Sequence, residues 1–99
     1  MNTHIALICA AAGLGLSGIA EAADVHIRTI AATCMSCHGP GGKSQGRNPN
    51  LAGQNKDFFV QTMKDFRSGD KAATVMKRHA SGYTDNEITA LAEYFANLK

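Results

Sequence analysis

Cys34-Met35-Ser36-Cys37-His38 constrains this chain more than any other stretch. Two cysteines three apart, with a histidine directly after the second, are the sequence mark of covalent heme attachment. Each thiol adds to one vinyl group of a porphyrin, and a separation of three places both sulfurs on one side of a helical turn. The adjacent imidazole then points under the ring and binds the iron from one face. A zinc site would need further ligands at matching spacing, and no second cysteine pair exists. A thioredoxin-like site would need a βαβ pattern around the pair, and strand-like runs are missing. The motif therefore implies a domain built around one covalently attached heme c.

Heme is attached in this way outside the cytoplasm, so an export signal is expected. Ile5 to Ile19 is an uncharged, mostly apolar run, and Ala20-Glu21-Ala22 reads as a cleavage site ahead of Ala23. Residues 1–22 are thus expected to be a signal peptide and 23–99 the functional domain, in the periplasm. No Lys or Arg precedes the apolar run, so an uncleaved anchor is the alternative. The cysteine count agrees with removal of the signal: Cys9 leaves with it, Cys34 and Cys37 are consumed by heme, and no disulfide is expected.

The remaining stretch, about 77 residues, is one domain with no membrane span. A chain this short buries too little apolar surface to be comfortably stable without a staple, a part the porphyrin would play. Ten Lys and Arg stand against seven Asp and Glu in residues 23–99, a mild excess. No dense basic run with interleaved aromatics is present, which argues against nucleic-acid binding.

The apolar pattern is helical. Ile27, Ile30, Ala31 and Cys34 recur at three- and four-residue steps, predicting a helix from Val25 to His38 that breaks at Gly39-Pro40-Gly41-Gly42. Lys43 to Gly53 reads as a loop containing Pro49. Gln54 or Asn55 opens a second helix through Ser68, stopped by Gly69, with Phe59, Met63 and Phe66 on one face. A short helical segment is expected over Lys71 to Ala80. Thr84-Asp85-Asn86-Glu87 reads as a capping box opening a last helix with an apolar stripe of Ile88, Leu91, Ala92, Phe95 and Leu98. The expected architecture is all-α, with about four short helices around the heme.

A histidine-ligated heme has one coordination position left. Met35 lies inside the motif, on the wrong side of the ring, and Met63 sits among phenylalanines as core filling. Met76 precedes a glycine loop and the final helix, which lets it approach opposite His38. Met76 is the expected ligand, with His79 one turn further on, or an open position, as alternatives. His26 reads as a helix-surface or packing residue. His/Met ligation saturates the iron and favours one-electron transfer over oxygen or peroxide chemistry.

Together with the Pro49-x-Leu51 step and a last helix carrying Leu91 and Tyr94, these residues resemble a class I cytochrome c along nearly all of residues 23–99. The resemblance implies that fold, with the Pro49 carbonyl taking the hydrogen bond of the His38 imidazole and Leu51 packing on the heme. His38 to Ser44, Leu51 to Gln54 and Asp65 to Gly69 are similar to the c4/c553 group. Ala73 to Arg78 with Ser81 to Thr84 resembles the cytochrome subunit of flavocytochrome c sulfide dehydrogenase. That implies an FAD-containing flavoprotein partner that oxidises sulfide; a free carrier between other redox proteins is the alternative. One position departs from the family: His26 stands eight residues before Cys34, where a small residue is common at the crossing of the terminal helices.

The chain shows no nucleophile arrangement or phosphate-cradling loop of its own, and Asp85 and Glu87 are accounted for by capping. Whether it counts as part of an enzyme therefore depends on the partner. Lys43, Lys56, Lys64, Lys71, Lys77 and Arg78 are candidates for a basic rim that steers such a partner.

Overall fold

Helix α1 covers residues 24–38 of a computed structural model that describes residues 24–99. The expected signal peptide lies outside the described residues. Helix α1 stops at Gly39, whose N–H bonds the Met35 carbonyl at 2.9 Å while its φ of 94° turns the chain away. A Cβ there would fall 1.9 Å from the Lys43 carbonyl oxygen, so the sharp exit beside His38 needs glycine. A 3₁₀ turn follows at Pro40–Gly42. The Gly42 carbonyl accepts from Leu51 N–H at 2.8 Å and Ala52 N–H at 3.0 Å, closing the loop between them into an arch.

Helix α2 spans Lys56–Ser68, capped by Asn55, whose Oδ1 accepts from Phe58 N–H at 3.0 Å. It ends at left-handed Gly69, as the sequence predicts. Phe59 and Met63 face inward, so Met63 is core filling; Phe58 stands exposed. Helix α3 is shorter than expected, Val75–Ser81. Both Gly69 and Lys71 donate their N–H to the Asp65 carbonyl, so the chain through Lys71 is still closing α2, and α3 begins only at Val75.

Helix α4, Asp85–Ala96, begins with the expected capping box. Thr84 N–H reaches Glu87 Oε1 at 2.9 Å and Glu87 N–H reaches Thr84 Oγ1 at 3.1 Å. Its stripe of Ile88, Leu91, Ala92 and Phe95 is fully buried. The Phe95 ring stacks on Phe59 with centroids 5.9 Å apart and meets the edge of Tyr94 at 5.4 Å. Helix α2 packs on both α3 and α4, and Ala31 of α1 and Leu51 of the arch complete the core. Among the described residues there is no strand, and no helix is long and apolar enough to cross a membrane.

His26 does not occupy a tight crossing. The fully buried small residue of α1 is Ala31, and the His26 side chain is exposed. Its Nε2 meets Glu87 Oε2 at 2.6 Å, tying α1 to the cap of α4 across the surface.

Candidate heme-binding site

Cys34, Cys37 and His38 occupy the last turn of α1. The helix brings positions three and four apart onto neighbouring parts of its surface, so one turn carries both thiols and the imidazole. Cys34 is half-buried, and its Sγ lies 3.5 Å from the Ile30 carbonyl. Burial pushes its thiol pKa up, partly offset by hydrogen bonding. Cys37 is exposed, and the two cysteines are not joined to each other.

His38 is the buried polar residue of the core, 9% exposed. Its Nδ1 lies 2.8 Å from the Pro49 carbonyl oxygen. A carbonyl only accepts, so Nδ1 carries the proton and donates it. In the neutral imidazole this leaves Nε2 as the nitrogen whose lone pair can bind a metal. Two unpaired thiols and an imidazole in this tautomer fit an iron porphyrin. They do not fit zinc: among the described residues, no three His, Cys, Asp or Glu side chains are grouped to hold a metal ion.

Pro49 sits near the C-terminal foot of the arch with a neighbour pinned on either side. Asn48 Nδ2 donates to the Cys37 carbonyl at 2.9 Å. Asn50 Oδ1 accepts from the Ser44 N–H, and the Asn50 carbonyl accepts from Gln54 Nε2 at 2.7 Å. Leu51, 9% exposed, enters the apolar cluster. Met76 lies on α3, half-buried, and packs against the same cluster. His79 faces solvent.

The structure therefore joins His38 to Pro49 directly and places Leu51 and Met76 at one core. Asn48 escaped the sequence reading. Asn-Pro signals a turn, but its partner lies eleven residues back on a helix, and no spacing rule pairs them. Of the basic residues, Lys56 is paired with Glu93 at 3.2 Å, and Lys71 lies over the Phe66 ring at 5.3 Å from its centroid. Lys43, Lys77 and Arg78 are exposed and make no ion pair among the described residues.

The family model described as cytochrome C oxidase, cbb3-type, subunit III matches residues 22–95. The chain belongs to the c-type cytochromes. It is 41% identical over 69 residues to the cytochrome subunit of sulfide dehydrogenase of Chlorobaculum tepidum, covering 70% of this chain and 63% of that one. It is 35% identical over 89 residues to cytochrome c4 of Pseudomonas aeruginosa, covering 87% of this chain and 44% of that one. A solved structure of Acidithiobacillus ferrooxidans cytochrome c4 superposes with a TM-score of 0.63 at 34% identity, covering 66% of this chain and 38% of the other. The chain thus spans roughly two fifths to three fifths of the length of these relatives.

The helical architecture is the class I cytochrome c fold. The cytochrome's cofactor is covalently attached heme c, and its single Cys-x-x-Cys-His motif corresponds to one heme.

Proposed function

We propose that this cytochrome works in the periplasm, holding its heme c through Cys34, Cys37, His38 and Met76 and accepting single electrons from a sulfide-oxidising, FAD-containing flavoprotein. The carrying observation is the 2.8 Å hydrogen bond from His38 Nδ1–H to the Pro49 carbonyl. It selects the tautomer that an iron ligand requires and makes the imidazole a stronger donor. Cys34 and Cys37 would hold the group to α1, Met76 from α3 would supply a second iron ligand, and Leu51 would pack against the porphyrin. The heme, when bound, would supply a one-electron couple, with a histidine and a thioether as its protein ligands. The flavoprotein partner is supported by the likeness to the Chlorobaculum tepidum subunit, whose name states that it belongs to a sulfide dehydrogenase. Sulfide oxidation itself would then occur on that partner.

The likeness to cytochrome c4 and the exposed Lys43, Lys77 and Arg78 favour a second reading, a freely diffusing carrier with charge-steered contacts. Affinity purification of the tagged holo-protein from periplasm separates the two. Co-purification of a flavin-containing protein in fixed ratio, persisting at high salt, is expected for the subunit. Recovery of the cytochrome alone would overturn the subunit reading and leave the free carrier.

A further inference from the structure

The geometry points to Asn48 as the positioning residue that sets the strength of the His38–Pro49 hydrogen bond, and through it the reduction potential of the heme. This rests on the reading of His38 as the iron ligand. Asn48 acts at both ends of the arrangement. At one end it satisfies a helix terminus: Cys37 lies in the last turn of α1, where carbonyls lack intrahelical partners, and Asn48 Nδ2 donates to its oxygen at 2.9 Å. At the other end it precedes Pro49, whose ring fixes φ and leaves only the two ψ angles of Asn48 and Pro49 between the anchored residue and the carbonyl that receives the imidazole proton.

The arch is held unevenly. On the C-terminal side of Pro49, Asn50 bonds Ser44 and Gln54, and the Leu51 and Ala52 N–H groups bond Gly42. On the N-terminal side, Ser44 and Gly46 bond each other in a local turn, and the Ser44 N–H also bonds Asn50 across the arch. The tie from that side to α1 is the Asn48 carboxamide. Because it grips the residue next to His38, it fixes the acceptor relative to the helix that carries the donor. Asn48 is exposed, so its polar bond is not explained by a need to satisfy a buried side chain.

A well-aligned Nδ1–H···O=C bond gives the imidazole more anionic character, which stabilises the oxidised iron and lowers the potential. The test uses holo-protein carrying Asn48→Ala or Asn48→Gln, the latter keeping the donor on a longer stem. Two quantities are read: the reduction potential, and the rate at which the His38 Nδ1 proton exchanges with deuterium by NMR. In Asn48→Ala the potential is expected to rise and exchange to quicken about tenfold, the factor equivalent to one hydrogen bond of ordinary net strength, with the low-spin heme spectrum retained. Asn48→Gln should recover part of both effects. An unchanged potential and exchange rate in folded Asn48→Ala would overturn the proposal, as would effects of Asn48→Gln equal to those of Asn48→Ala. His38→Ala separates the underlying reading: if it left the low-spin spectrum intact, the ligand assignment would fail, whatever Asn48 does.

Discussion

Gly39 shows how little freedom the chain has directly after His38. Its φ of 94° is costly for any residue with a Cβ, and that atom would collide with the Lys43 carbonyl. Gly41 also has a positive φ, 63°, but nothing lies within 4 Å of its Cβ position. Denaturant unfolding of the two alanine variants should therefore differ. Gly41→Ala is expected to cost about 1 kcal/mol, the left-handed penalty alone. Gly39→Ala is expected to cost at least about 2 kcal/mol more, because backbone must move; equal losses would contradict the close approach. At this scale the local motif was legible, since Cys34, Cys37 and His38 are neighbours along one helical turn. The Pro49 contact was reached only through a family resemblance, because its donor lies eleven residues away and backbone carbonyls leave no mark in a sequence.

Helix α4 was the most legible element, since a capping box is a purely local exchange between Thr84 and Glu87. What the sequence left hidden is that Glu87 also receives His26 from α1. The Thr84 backbone N–H and then the His26 side chain hold the Glu87 carboxyl below its ordinary value. A depressed folded value means the stabilisation is present at pH above the unfolded glutamate's and is lost as pH falls through the folded one. Glu87→Gln should accordingly lower Tm at neutral pH and flatten the loss of Tm on acidification, and His26→Ala should do so in part. Parallel Tm-against-pH curves for wild type and Glu87→Gln would exclude this linkage. Helix α3 was legible in position but not in start, because the turn that closes α2 takes Lys71 into its own bonding.

At the scale of the molecule, nine apolar side chains are buried among the described residues, drawn from all four helices and the arch. That is a small core for a domain of this length, which fits a cytochrome whose packing is completed by its cofactor. The all-α class and the helix order were readable because apolar spacing repeats every three or four residues. The meeting of α1, the arch and α3 at one core was not, because it depends on contacts between segments far apart in sequence. The central claim is that His38 and Met76 hold the heme from its two faces and leave the iron no open position. The most direct test is the absorption spectrum of the oxidised holo-protein, compared between wild type and Met76→Ala. The account predicts the weak sulfur-to-iron band in wild type and its loss in the variant with the helical fold retained; survival of the band in Met76→Ala would contradict it.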